Sequence, residues 1–271
     1  MITVDLKGRA ALVTGGTRGL GRAVALELSR AGATVYVTHR WGSVDESELA
    51  AVFQQQAVPP PIMVESDVSD GEDTRALMRQ IKAQSGNLHI IISNVALARA
   101  VTSLADMKKS SLDLALSYSA WPAVDLMQAS DEVFGVLPRY LTAISGDGAS
   151  VCHDNYELVG TSKSVLETLV RYLAVRLKTR GTRVNAIRPW VLDTDNLRNF
   201  FRDAEVQKIK EHRAELFLDP QRVARTVLGL CSGLMDSITG QVITVDEGWG
   251  LLSPMAFMEG RERPFAFPED G

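Results

Sequence analysis

The segment Thr14-Gly15-Gly16-Thr17-Arg18-Gly19-Leu20-Gly21 is the first place where residue type and spacing could do chemistry. Gly15, Gly19 and Gly21 fall in a GxxxGxG pattern, directly after the apolar run 9–14 and at the opening of an amphipathic stretch. Glycines so placed permit a tight turn and let a pyrophosphate approach the backbone and the N-terminus of the following helix. The segment therefore reads as a dinucleotide-binding loop. Enzymes that take NAD usually place an acidic residue at the end of the second strand, on the ribose 2′-hydroxyl. Here that region reads Thr38-His39-Arg40, with no carboxylate, and Arg18 lies in the loop itself. Two guanidinium groups there suit a 2′-phosphate, which points to NADPH rather than NADH.

Elsewhere the chemistry-bearing residues leave alternatives open. Cys152-His153-Asp154 offers a proton-relay histidine or a polar loop. The stretch 197–216 carries Arg198, Arg202, Lys208, Lys210 and Arg213, where an acidic carrier protein could dock. Asp203, Glu205, Glu211 and Glu215 are interleaved with these bases, which favours a solvated mixed-charge face. Phe200, Phe201 and Phe217 are expected to turn inward, as core or as the wall of an acyl pocket. No spacing of His, Cys, Asp and Glu suits a metal.

The elements that must position these residues alternate along the chain. Strand-like runs at 9–14, 34–38, 62–65, 89–93, 140–145, 183–187 and 241–245 are separated by helical patterns. Helices are expected over 19–31, at the end of 41–56, and over 72–84, 110–136, 158–178 and 220–231, with a helical insertion at 197–216. Leu20, Val24 and Leu28 share one face of the first of these. Strands separated by helices mean an α/β fold: a Rossmann-type, doubly wound parallel sheet of about seven strands in a single domain. Residues 1–252 form that domain, with a lid at about 195–217, and 253–271, which holds Pro254, Pro264 and Pro268, reads as an extended tail.

Composition agrees and excludes other classes. Apolar residues make up 45% and charged residues 23%, so a large core can be buried and disorder is excluded. The net charge of −4 argues against nucleic-acid binding over the whole surface. Cys152 and Cys231 cannot build a disulfide framework, and the first residues are unlike a signal peptide. A cytoplasmic protein that spans no membrane is expected.

Over about residues 5–252 the chain resembles the short-chain dehydrogenase/reductase family. The loop just described is joined by Asp67-Val68, by Asn94-Val95-Ala96 with Leu97 where the family has glycine, and by Arg183-Val184-Asn185-Ala186-Ile187-Arg188-Pro189 with Trp190 in place of glycine. Thr194, Gly240-Gln241 and Asp246 also match, with Glu247 in place of a glycine. The ordinary Tyr-xxx-Lys pair is absent. Tyr156 and Lys163 instead have six intervening residues, a step of about 10.5 Å on one helix, so Tyr156 is expected at or before the helix start. That spacing, with Ser117-Tyr118-Ser119 and Asp193-Thr194-Asp195, is similar to the enoyl-acyl-carrier-protein reductase branch. Ser119 stands where the family has a catalytic asparagine, and Gly146 where the branch often has a second aromatic.

The resemblance implies Tyr156 and Lys163 as catalytic residues. It implies NADPH (NADP+) held by Gly15, Thr17, Arg18, Gly19, Leu20, Gly21, Arg40, Asp67, Val68, Asn94, Val95, Lys163, Pro189 and Thr194, and no metal. Tyr156 would steady negative charge on a thioester oxygen, and the charge of Lys163 would lower the phenol's pKa. The implied substrate is an enoyl thioester or related conjugated carbonyl from fatty-acid, polyketide or natural-product chemistry, carried on an acyl carrier protein or free. Trp190 either narrows the pocket or caps the core. With Leu97 and Gly146, it keeps two alternatives open: a ketone reductase, or a non-redox NADP(H)-binding cyclase or regulator. Apolar stripes over 110–136 and 158–178 imply a homo-oligomer, a dimer or tetramer.

Overall fold

Strands covered on both faces bury every position and so are mostly apolar, as the first, fourth and fifth strand runs are. In the computed structural model, which describes residues 3–40, 45–194 and 197–252, the strand runs form one seven-stranded sheet. The strands are β1 (Ala10–Val13), β2 (Thr34–His39), β3 (Ile62–Glu65), β4 (Ile90–Ser93), β5 (Tyr140–Ile144), β6 (Arg183–Pro189) and β7 (Val242–Val245). Their order is β3-β2-β1-β4-β5-β6-β7, and every pairing is parallel. The order reverses direction between β1 and β4, the switch point where an open α/β sheet leaves a crevice at the C-terminal ends of its strands.

Alternation along each strand feeds two cores. Ala11, Val13, Val35, Val37, Ile90 and Ile92 face α1 (Gly19–Arg30) and α8 (Pro220–Leu230). Ala10, Leu12, Tyr36, Ile91, Leu141 and Ala143 face the other side, against α3 (Gly71–Ser85), α5 (Pro122–Phe134) and α6 (Glu157–Leu177). Leu20, Val24 and Leu28 are all buried, as their spacing requires. Remaining helices are α2 (Glu46–Gln55), α4 (Lys109–Ser119) and α7 (Asp203–Arg213).

Two expectations need correction. The stretch 110–136 is two helices, α4 and α5, because Pro122 cannot donate to the preceding turn; it starts α5 at its first position, where no donor is needed. The insertion at 197–216 is a short 3-10 turn, then α7, then a second 3-10 turn, rather than continuous helix. The tail 253–271, Asp195 and residues 41–44 lie outside the described residues. Among the described residues, no helix is long and apolar enough to cross a membrane.

Candidate active site

The glycine-rich loop leaves β1 at Val13 and turns into α1 at Gly19. Gly15 and Gly19 have φ of +61° and +54°, in the region that side chains with a Cβ avoid. A Cβ on Gly21 would overlap the carbonyl oxygen of Gly15, and one on Gly16 would lie 2.5 Å from Val37 Cγ1. The loop is tied to β4 from below. Asn94 Nδ2 donates to the carbonyls of Thr14 (2.9 Å) and Gly15 (3.2 Å), and the Asn94 and Val95 amides donate to Thr14 Oγ1. Asn94 and Val95 thus hold the loop's shape. α1 has no side-chain cap, whereas α2, α3 and α8 are capped by Asp45, Asp70 and Asp219, so the first amides of α1 face the crevice without a carboxylate. Thr17 and Leu20 are buried in the loop, and the Thr194 methyl lies over Gly19.

Beside the loop is a small cavity of about 70 Å³, lined by Gly15, Thr38, His39, Arg40, Ser66, Asp67, Val68, Val95 and Tyr118. Arg40 crosses it. Its Nε lies 3.0 Å from Asp67 Oδ2, its Nη1 donates to the Tyr118 hydroxyl, and its guanidinium stands 5.3 Å from the Tyr118 ring centre. Tyr118 donates to Asp67 Oδ2 at 3.0 Å. Burial would raise the Asp67 pKa, but hydrogen bonds from Ser69 and Tyr118, with the charge of Arg40, hold it below the usual carboxylate range. His39 Nδ1 and Ser66 Oγ are buried without a hydrogen-bond partner among the described residues. The glycine cradle and these two orphaned polar atoms fit a dinucleotide with its adenosine end in this cavity. Tyr118, His39 and Ser66 were not singled out as cofactor contacts from sequence; Tyr118 comes from α4, far along the chain.

At the other side of the switch point, Tyr156 is the residue immediately before α6 and Lys163 lies two turns into it. The Tyr156 ring rests on Gly148, where a Cβ would come within 2.6 Å of it. Gly148 in turn touches Gly160, whose absent Cβ would lie 2.6 Å from the Gly148 carbonyl. Phe200 meets the ring edge-on at 4.7 Å and His153 at 5.6 Å between ring centres. Burial, helped by the charge of Asp147, pushes the Tyr156 phenol up to about 12. This reverses the expected lowering by Lys163: desolvation of the phenolate dominates. Lys163 is fully buried and donates from Nζ to the Ile144 carbonyl at 2.6 Å. Burial lowers its pKa to about 8, against an upward pull from Glu167.

Around this pair, several residues take roles their sequence positions did not reveal. Ser145 donates its hydroxyl to Glu167 Oε1 at 2.7 Å. Glu167 also receives Arg188 through two bonds, at 3.0 and 2.7 Å. Among the described residues, a Cβ at Gly146 would meet nothing within 4 Å. Ser119 accepts from the Leu97 amide at 3.0 Å. Trp190 is half-buried and packs against the core cluster that holds α1 and α8; its indole nitrogen is buried without a hydrogen-bond partner among the described residues. His153 pairs with Asp147 at 3.0 Å. Pro189 ends β6, and beyond it Asp193 is clasped by Arg198 (2.6 Å) and by Lys210 of α7. Lys210 and Arg198 hold the Asp193 carboxyl below its ordinary range. These pairs fasten the 197–216 segment, with Phe200, over Tyr156.

Known proteins are similar to this chain in sequence and in fold. A family model described as enoyl-(acyl carrier protein) reductase matches residues 15–250. A 1-cyclohexenylcarbonyl-CoA reductase of Streptomyces collinus is 28% identical over 261 residues, covering 94% of this chain and 91% of its own. A tropinone reductase homologue of Arabidopsis thaliana is 31% identical over 257 residues, covering 90% and 91%. The crystal structure of a short chain dehydrogenase from Burkholderia cenocepacia J2315 in complex with NADP is similar with a TM-score of 0.76 at 25% identity, covering 89% of this chain and 97% of that one.

Proposed function

We propose that this chain, which belongs to the short-chain dehydrogenase/reductase family of NAD(P)-dependent reductases, uses NADPH to reduce the 2,3-double bond of an enoyl thioester or related conjugated carbonyl compound. The observation that carries the reading is the position of Tyr156. It stands at the mouth of α6, two turns from Lys163, with its ring wedged between Gly148 and Phe200. The match to the enoyl reductase model and the likeness to an enoyl-CoA-type reductase support the same substrate class.

NADPH, when bound, supplies the hydride for the β-carbon. The glycine loop and the α1 amides would take its pyrophosphate, and Arg18 and Arg40 its 2′-phosphate. The cavity of His39, Ser66, Asp67, Val68 and Tyr118 would take the adenosine, and Lys163, Pro189 and Thr194 would line the nicotinamide end. As negative charge develops on the thioester oxygen, the Tyr156 hydroxyl donates to it. A phenol held near 12 stays protonated throughout the neutral range and serves as a donor placed in advance. The buried Lys163 ammonium adds positive charge behind it. Phe200 and the clasped 197–216 segment exclude water from this oxygen.

Absorbance at the nicotinamide band tests the reading. Protein, NADPH and crotonyl or longer enoyl thioesters should show loss of NADPH, and no oxidation at any chain length rejects it. A ketone reductase is the second reading, favoured by the tropinone reductase homologue; it predicts that ketones, and not enoyl thioesters, consume NADPH. We also infer a homo-oligomer of two or four copies, because the outward face of α6 exposes Tyr172 at 74% and Val175 at 78%. Light scattering at a monomer mass rejects that inference.

A further inference from the structure

Three charges meet where α6 packs on the ends of β5 and β6: the buried Lys163 and Glu167 and the half-buried Arg188. Glu167 lies one helical turn beyond Lys163 on α6, with a side chain only 7% exposed. Its carboxylate receives Nε and Nη2 of Arg188 from β6 and the hydroxyl of Ser145 from the end of β5. Lys163 donates to the Ile144 carbonyl, the residue before Ser145. One carboxylate and one ammonium on the same helix therefore fix the same strand end, from which Gly146 and Gly148 lead to the floor under Tyr156. A carboxylate bonded in this way, away from solvent, has one task left: to balance charge.

We propose that Glu167 is a positioning residue of this site, anchoring Arg188 and Ser145 and standing as the counter-charge that keeps the neighbouring Lys163 ammonium charged in its dry environment. The proposal rests on the reductase reading only for its catalytic consequence; the electrostatics stand by themselves. Glu167, on the same helix, is the charged group that acts on Lys163; Arg188 on β6 joins this corner through Glu167, and Asp147 on the loop after β5 acts on Arg188 and on the Tyr156 phenol. The α4 helix, packed on α6, buries only Ser111, Ala115 and Ser119, none of them charged.

The signs follow directly. Glu167→Gln removes the negative charge that acts on Lys163 and leaves Arg188 uncompensated, so Lys163 gives up its proton more readily. Arg188→Met takes the guanidinium off the Glu167 carboxylate, so its full negative charge is left to Lys163 and the ammonium holds its proton longer. Ser145→Ala removes a hydroxyl but no charge and leaves the titration where it is. An opposite-charge neighbour at this range moves a pKa by about one unit or more.

The test is a carbon NMR titration of protein labelled at lysine Cε, with the Lys163 signal assigned through Lys163→Met. The expected wild-type midpoint is about 8. It should fall by about one unit in Glu167→Gln and rise in Arg188→Met. An unchanged or raised midpoint in Glu167→Gln overturns the proposal. Should that variant fail to fold, Arg188→Met decides it, and an unmoved or lowered midpoint there is equally fatal. In turnover, the loss of activity on the alkaline side should move with the same midpoints. A wild-type protein without turnover rejects the reductase reading, while the titration still judges the role of Glu167.

Discussion

Two loops at the C-terminal edge of the sheet, the one after β1 and the one after β5, both depend on glycines where no Cβ fits, and they use them differently. In the first, Gly15 and Gly21 bring backbone against backbone, and Thr14 and Asn94 lock the result with hydrogen bonds. In the second, Gly148 and Gly160 bring a loop against a helix so that an aromatic ring can lie on top. The first loop is a rigid backbone surface that accepts any ligand with the right phosphates. The second is a packed arrangement around one side chain, Tyr156, and its precision depends on Phe200, Asp147 and the charges beneath. Cofactor binding and chemistry should therefore fail separately.

The largest expected effect removes the donor. Tyr156→Phe should lower kcat by about 100-fold or more, as for loss of a donor to a developing oxyanion, while calorimetry finds NADPH affinity unchanged. Next is the backbone loop. Gly21→Ala forces a Cβ onto the Gly15 carbonyl; overpacking of about 1–3 kcal/mol corresponds to roughly 5- to 150-fold weaker NADPH binding. A variant that bound normally would break the distinction between the loops. Third, Gly148→Ala presses on the Tyr156 ring, which yields before the backbone does. We expect about a tenfold loss in kcat, equivalent to about 1.4 kcal/mol, with the dissociation constant for NADPH unaltered. Smallest is Arg40→Ala. It should reduce the preference for NADPH over NADH by about tenfold, the scale of one charged hydrogen bond, as read from the ratio of kcat/KM with the two cofactors.

The same contrast explains what was legible in the sequence. The loop after β1 is local: its glycines, the run before them and the stripe Leu20, Val24, Leu28 all lie within residues 9–28, one strand and the helix that follows it, so spacing alone exposes it. The parallel sheet follows from alternation for the same reason. The second site is not local. Ser145, Glu167 and Arg188 are separated by more than 20 residues at each step and meet only because β5, β6 and α6 are neighbours. No periodicity reports that meeting. Tyr118 reaches Asp67 across 51 residues, equally without a sequence signal. The division between α4 and α5 was visible at Pro122, but the continuous apolar pattern on both sides masked it. Trp190 carried two readings in the sequence, pocket wall or core cap, and its contact with the core cluster comes only from the fold. The upward shift of Tyr156 depends on burial, which the linear sequence does not carry.

The central claim is that Tyr156 serves reduction of a carbon–carbon double bond rather than a carbonyl. Deuterium tracing tests it most directly. Wild-type protein is incubated with NADPH deuterated at the transferable position and an enoyl thioester, and the product is read by NMR. The account predicts a saturated thioester with the label on the β-carbon, and none formed by Tyr156→Phe on the same timescale. Recovery of unchanged enoyl thioester, with label found instead on the carbinol carbon of a ketone offered in parallel, would contradict it.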